Sequence, residues 1–401
     1  DEVIMTLDPT LTMLLKQIDP SIEGQQDTRG YTYVRLKKAL YGCVQSAKLW
    51  YDKLCEVLTD AGYTRNDYDQ CLFNKKVDGE QVTIAFHVDD LLITSVNSKL
   101  IDQIQQHLEQ NFESITVNRG NNHSYLAMNL EMTENGIELD MIAYVDKCIK
   151  DRTFSRKVAS PATDDLFDLQ SDSTPLAEED SKHFHSDVAK LLYLAKRTRG
   201  EILTAVSHLS SRVLAPTEDD QRKLDRILNY LWSTKEKKML LKKGGDVNIE
   251  VFIDASYGIH ADGSSRTGMS IMMGGASIAN WSSKQKLVTK SSTEAAIVGL
   301  SDGLTNALWM REMLLAQGYT LPPTVIHQDN EGVIKIIQKG RSPKHRTRHL
   351  NVRHFFARDR EKSGDIKLVY KPTSEMVADL FTKPLNGWQF AELSRKISGH
   401  D

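Results

Sequence analysis

The strongest constraint on this chain is the run IEVFID (249–254), followed by three further acids placed at the ends of separate segments. Ile249, Val251 and Ile253 alternate with Glu250, Phe252 and Asp254, the two-residue period of a strand, and small residues follow Asp254. Two more β-prone runs, SRTGMSIMM (265–273) and ASIANWSSKQ (276–285), are joined by Gly274 and Gly275, a short hairpin signal. A helix is predicted over about 293–317, with Ile297, Leu300, Leu304, Leu308 and Leu315 near helical spacing and Gly318 as its stop. TVIHQD (324–329) then reads as a strand, NEGVIKIIQ as a short helix and IKLVYKP (366–372) as a fifth strand, with a last helix holding Asp379. Three antiparallel strands followed by alternating helices and strands predict a mixed α/β domain.

Four carboxylates sit on this frame: Asp254 at a strand end, Glu294 in a first helical turn, Asp329 at a strand-to-helix junction and Asp379 in the last helix. Acids delivered by separate elements suit hard divalent cations. Two such ions about 4 Å apart activate a water and stabilise the leaving oxygen of a phosphodiester. Each acid also has a plainer reading. Ser291 and Glu294 have capping-box spacing, Asp329 suits the start of the next helix, and Asp379 suits its own helix dipole.

A net charge of -3 over 401 residues announces no nucleic-acid partner, so the distribution has to decide. Residues 335–362 carry ten Lys or Arg against two acids, a local balance of +8, whereas 161–181 carry seven acids and no base. Within the basic stretch His349, Arg353 and Arg360 fall close to one helical stripe, while Leu350, Phe355 and Phe356 can face a core. Such a stripe beside acidic metal ligands would hold phosphates in register, and a solvated basic face is the plainer alternative. Cys43, Cys55, Cys71 and Cys148 form no CxxC pair and read as reduced, mostly buried thiols. No apolar run approaches the ~18 residues of a membrane span. The chain starts at Asp1 and reads as a piece of a longer polypeptide.

In the first part, YVRLKKALYG (33–42) reads as a strand running into a turn, and 45–62 as an amphipathic helix with Leu49, Leu54 and Leu58 as core candidates. CLFNKK and QVTIAFHVDDLLITSV flank a turn at Asp78-Gly79. Within the second run Asp89 and Asp90 interrupt an apolar strand. Either a β-turn falls there or a metal compensates two desolvated carboxylates. Residues 160–181 are rich in Pro, Ser, Thr and acids and read as a linker, and two helical patterns follow over 187–212 and 217–233.

FIDASYG with Asp254, KSSTEAAI with Glu294, HQDNEGVI with Asp329, KHRTRHLNVRHFFARD and MVADLFTKPL with Asp379 together resemble the ribonuclease H domain of copia-type LTR retrotransposons. LKKALYGCVQSAKLWY (36–51), with Gly42 and Gln45, and FHVDDLLITS (86–95) resemble that family's reverse-transcriptase palm. SYLAMNLEM (124–132) resembles its primer-holding strand region and IAYVDKCIKD (142–151) the opening of its thumb. The connection is similar to 191–210 and 226–234, where Arg197 and Arg199 are candidates for contact with a hybrid backbone.

The resemblance implies a multidomain α/β and α+β chain: an N-terminally incomplete palm and thumb over 1–160, an acidic linker over 161–185, a helical connection over 186–245, a ribonuclease H-like mixed five-stranded sheet with helices over 246–388, and a tail over 389–401. It implies Mg²⁺, or Mn²⁺, held by Asp254, Glu294, Asp329 and Asp379 for cleaving RNA in an RNA/DNA hybrid, and by Asp89 and Asp90 for polymerisation. Gln45, His87, Lys344, Arg346, Arg348, His349 and Arg353 are the implied nucleic-acid contacts. Implied partners are RNA/DNA hybrid, template-primer nucleic acid and the element's other Pol and Gag products, with no membrane, in the cytoplasm or in virus-like particles, with access to the nucleus.

Two departures accompany the match. His87 stands where the family has Tyr, and no His precedes Asp379 between Lys371 and Ala378. The family's first polymerase Asp falls upstream of Asp1, so no polymerisation is expected of this chain. A nucleic-acid-binding relic without catalysis is the alternative expectation.

Overall fold

The structure is a computed structural model and describes residues 3–22, 26–40, 42–244, 247–339 and 348–400. It divides into two compact units, 1–115 and 116–401. The stretch 116–160, assigned above to the palm and thumb, therefore packs within the second unit.

In the first unit β1 (Ile4–Leu7) pairs antiparallel with β2 (Thr32–Arg35), and α1 (Pro9–Ile18) lies between them in sequence. Asp8 caps α1 through its carboxylate, which accepts from the Thr10 and Leu11 amides. After α2 (Val44–Asp60) come β3 (Thr64–Arg65), β4 (Leu72–Val77), β5 (Glu80–His87) and β6 (Asp90–Ser95), an antiparallel sheet in sequence order, and then α3 (Ser98–Asn111). Leu54 and Leu58 of α2, Phe73, Ile84 and Phe86 of the sheet and Ile104 of α3 share one core. Leu49 is 55% exposed instead, because it falls off the stripe that Leu54 and Leu58 define.

The second unit opens with β7 (Asn122–Tyr125), β8 (Met128–Thr133) and β9 (Gly136–Asp140), followed by α4 (Ile142–Ile149), α5 (Glu178–Ala195), α6 (Leu203–Ser210), α7 (Glu218–Ser233) and β10 (Met239–Lys242). β10 returns to pair with β9, closing the order β10-β9-β8-β7. The linker expected over 161–185 is structured: Leu166 and Phe167 are buried in the core of α5, α6 and α7, and α5 begins at Glu178. Its acids mislead because Glu178, Glu179 and Asp180 occupy a first helical turn, where the dipole favours them.

The last part is the mixed sheet: β11 (Glu250–Ser256), β12 (Arg266–Met273), β13 (Ala276–Lys284), α8 (Ser292–Ala316), β14 (Thr324–Gln328), α9 (Glu331–Lys339), α10 (Arg348–Ser363), β15 (Ile366–Tyr370), and α11 (Gly387–Ile397). The strand order is β13-β12-β11-β14-β15. β11, β12 and β13 are antiparallel, and β14 and β15 run parallel to β11. Gly274 and Gly275 make the hairpin with positive φ, as their sequence position predicts.

Several local expectations change. Asp379 lies in a 3₁₀ turn, Val377–Phe381, rather than an α-helix. The expected tail belongs to α11, whose Phe390, Leu393 and Ile397 are buried. Leu315 and Phe355 are exposed, and of the four cysteines only Cys148 is buried, its thiol pushed up to about 11 by that burial.

The sheet separates two cores. Val251 and Ile253 pack with α8 in one. Phe252, on the other face of β11, belongs to the core built by α5, α6, α7 and α11, and so do Val377, Ala378, Leu380 and Phe381. Because side chains alternate along a strand, Asp254 shares the Phe252 side and faces the 3₁₀ turn.

Candidate metal centre

Parallel pairing of β14 beside β11 places their C-terminal ends together, which brings Asp329 next to Asp254. The third acid arrives by packing. Gly268 of β12 is the cross-strand partner of Asp254, and its lack of a side chain lets the 3₁₀ turn lie directly on the strand. A Cβ at Gly268 would stand 2.6 Å from Thr382 Cγ2 and 2.8 Å from Ala378 O. Asp254, Asp329 and Asp379 thereby each offer a carboxylate oxygen within 4.8 Å of the others.

The surroundings hold these groups in place. Thr382 Oγ1 donates to Asp254 Oδ2 at 2.5 Å, and Thr373 Oγ1 donates to Asp329 Oδ2 at 2.9 Å. Lys383 Nζ lies 2.7 Å from Asp379 Oδ1 and 3.5 Å from Asp254 Oδ2. From the connection, Thr204 Oγ1 of α6 donates to Leu380 O at 2.5 Å. Arg266 Nη1 donates to Ser282 Oγ at 2.8 Å, and Ser282 Oγ donates to Phe381 O at 2.6 Å.

Three acids against one ammonium leave negative charge to spare. Burial, then the neighbouring Asp254 carboxylate, pushes the Asp379 carboxyl up to about 7 against the pull of Lys383. The same two causes raise Asp329. Burial pulls the Lys383 ammonium down, but Asp254 and Asp379 reverse this and hold it above the usual lysine range. An all-oxygen donor set with unspent negative charge fits a hard divalent cation.

Glu294 stays outside this cluster. Ser291 Oγ caps α8 by accepting from the Glu294 amide at 3.2 Å, and Glu294 Oε2 accepts from the Lys290 amide at 2.8 Å. Ser291 caps the helix as its spacing suggests, but the Glu294 carboxylate turns to the Lys290 amide and does not close a capping box on Ser291. Lys383, which contacts Asp379 and Asp254, is not among the residues singled out from the sequence, although it stands four residues after Asp379 within MVADLFTKPL.

Asp89 and Asp90 fall at the tip of the β5–β6 hairpin, exposed, with Val88 at φ 57°. Trp50 Nε1 donates to Val88 O at 2.7 Å and ties that tip to α2. Among the described residues no third acid, His or Cys joins them in a metal-binding group. Gln45 and His87 are exposed on the same unit. Arg353 is engaged within the fold, pairing with Asp302 of α8. Arg348 and His349 lie in the first turn of α10, and Lys344 and Arg346 fall outside the described residues. Arg199 is 1% exposed and paired with Glu201, which removes it from the candidate hybrid contacts.

The strand order, the parallel fourth and fifth strands and the carboxylates gathered at the strand ends define a ribonuclease H-like domain. Residues 10–162 match the family model described as Reverse transcriptase (RNA-dependent DNA polymerase). The chain is 31% identical over 368 residues to the Retrovirus-related Pol polyprotein from transposon RE2 of Arabidopsis thaliana, an alignment spanning 90% of this chain and 25% of that protein. It is 25% identical over 386 residues to the Transposon Ty1-JR2 Gag-Pol polyprotein of Saccharomyces cerevisiae, spanning 90% of this chain and 22% of that one. Among solved structures it is similar to RNase H1 from the archaeon Halobacterium salinarum, with a TM-score of 0.27 and 15% identity over 34% of this chain and 94% of that one. The chain belongs to the copia-type retrotransposon Pol family. It spans about a quarter of the length of the curated relatives it matches.

Proposed function

We propose that this chain hydrolyses the RNA strand of RNA/DNA hybrids at the centre formed by Asp254, Asp329 and Asp379, with Mg²⁺ as the working ion and Mn²⁺ able to replace it. The observation that carries the reading is the meeting of three carboxylates from three separate elements within 4.8 Å, two of them buried. Asp254, Asp329 and Asp379 would together hold the ions. Ions bound there supply an activated water and charge for the leaving oxygen.

The protein's own groups do the rest. Thr382 orients Asp254, Thr373 orients Asp329, and the packing of the 3₁₀ turn on Gly268 sets the reach of Asp379. Glu294 lies outside this set, with its Oε2 accepting from the Lys290 amide. The basic helix α10 and the segment before it are the proposed track for the hybrid backbone, where Lys and Arg neutralise phosphates. No polymerase step is assigned to Asp89 and Asp90 in this chain. In the longer polyprotein they would serve a template-primer, alongside the other Pol and Gag products, in the cytoplasm or in virus-like particles, with access to the nucleus.

The test is cleavage of a labelled RNA/DNA hybrid with Mg²⁺, with Mn²⁺ and with chelator, comparing the wild type and Asp254→Asn. Cleavage that needs the ion and disappears in the variant, while hybrid binding persists, is the expected result. Binding without ion-dependent cleavage in the folded wild type would instead support the relic reading.

A further inference from the structure

Lys383 has no role in the function proposed above, yet it touches two of the three carboxylates. Its ammonium lies 2.7 Å from Asp379 and 3.5 Å from Asp254, and its side chain keeps 36% of its surface exposed. Its flexible stem therefore links the buried acids to solvent. It hangs on a rigid base, because Thr382 is bonded to Asp254 and the Lys383 amide donates to Asp379 O at 3.0 Å.

The charges at the centre can be counted. Three carboxylates, one ammonium and one divalent ion sum to zero, whereas a second divalent ion leaves two positive charges uncompensated. Such an excess is costly in a partly dehydrated site, and an arriving phosphodiester reduces it. Neither Thr382 nor Thr373 carries charge, so among the described residues that contact the three carboxylates Lys383 is the one that sets this balance. The Lys383 stem also reaches the acids from the Asp379 side, so an ion on that side has to displace the ammonium or share Asp379 with it.

We propose that Lys383 is a built-in monovalent cation that restricts the resting centre to one divalent ion and leaves the second to enter with the substrate phosphate. This rests on the metal-centre reading of Asp254, Asp329 and Asp379. It makes Lys383 a positioning residue that acts through the carboxylates, so binding rather than cleavage is its proper readout.

The experiment is Mn²⁺ titration of the full chain followed by electron paramagnetic resonance, without nucleic acid. It compares the wild type with Lys383→Met, Lys383→Gln and Lys383→Arg, each first checked for folding by thermal melting. Lys383→Gln keeps a polar end for Asp379 should Lys383→Met fail to fold. One tightly bound ion is expected in the wild type and in Lys383→Arg. Loss of the charge should admit a second ion or tighten the first by about tenfold or more, after allowance for the exposure of the ammonium. Unchanged stoichiometry and affinity in both neutral variants would overturn the proposal while leaving the metal centre standing. Absence of Mn²⁺ binding in the folded wild type and the neutral variants alike would overturn the metal centre itself, and the role of Lys383 with it.

Discussion

Substituting Gly268→Ala should damage the centre without touching any of its ligands. The added Cβ would meet Thr382 Cγ2 at 2.6 Å, Ala378 O at 2.8 Å and Phe381 Cβ at 2.8 Å. Non-bonded carbon atoms are comfortable at about 3.5–4.0 Å, so the 3₁₀ turn has to retreat from β12 by about 1 Å. Ala378 O is backbone and cannot swing aside. Overpacking of this kind costs about 1–3 kcal/mol of stability. The larger consequence is geometric, since the turn carries Asp379 and Thr382. A misplacement of about 1 Å at a reacting centre can cost about a hundredfold in rate.

Gly303→Ala is the control. Its Cβ would press on Ile253 Cδ1 at 2.7 Å and Met269 Sδ at 3.2 Å, flexible side-chain atoms on the α8 face of the same sheet. Both variants should melt lower, but only Gly268→Ala should lose most of its turnover at saturating Mg²⁺. Hybrid cleavage under single-turnover conditions, with melting curves for both proteins, measures this. Wild-type turnover in folded Gly268→Ala, or an equal loss in Gly303→Ala, would refute the reasoning.

Two further outcomes concern stability. Glu201 lies at the centre of a buried charge network with Arg199 at 2.8 Å and Lys237 at 3.3 Å. Burial alone would raise its carboxyl, but Lys237 and Arg199 hold it down to about 2, so its contribution is present above the unfolded carboxylate range and lost as pH falls through about 2. Glu201→Gln strands the buried Arg199 and the part-buried Lys237 and should cost about 3–5 kcal/mol in urea unfolding at pH 7; a loss below about 1 kcal/mol would show that the network is solvated. His208 is 4% exposed, and burial, with Lys223 and Arg266 nearby, lowers it to about 3. The unfolded chain binds this proton first, so stability is complete above about 6.5 and declines toward pH 3, by at most about 1.4 kcal/mol per pH unit. Asp379, raised to about 7, works in the opposite sense over part of that window. The diagnostic quantity is therefore the difference between wild type and His208→Gln, whose stability should fall less between pH 7 and pH 5; parallel curves would contradict a buried neutral His208.

Where the signal was local, the sequence could be read. The alternation at 249–254, the Gly274-Gly275 hairpin and the Ser291-to-Glu294 spacing each specify geometry over a few residues, and each formed as its local chemistry requires. The order β13-β12-β11-β14-β15 is set by packing between distant segments, and periodicity carries no record of it. Position within an element misled in the same way. Leu49 and Phe355 are apolar and helical yet face outward, because a stripe is decided by what the helix lies against. Leu166 and Phe167 passed for linker because two apolar residues among acids leave no period to detect, although both are buried against α6.

The centre itself shows why four acids read from sequence became three in space. Asp254 and Asp329 are neighbours through the parallel pairing of their strands, which the pattern of the domain implies. Asp379 is brought in by a turn whose side chains are buried with the connection helices and tied to them through Thr204 on Leu380 O, while Ser282 of β13, held by Arg266 of β12, donates to Phe381 O. The α8 core holds Val251 and Ile253 but none of the residues of that turn. One carboxylate of the centre is therefore positioned by residues that sequence similarity assigns to the connection, and the boundary drawn at residue 246 passes through the support of the site. Glu294 is held by the opposite logic. Its hydrogen bonds at the start of α8 close within five residues of chain, so local chemistry keeps it where long-range packing gathers the other three.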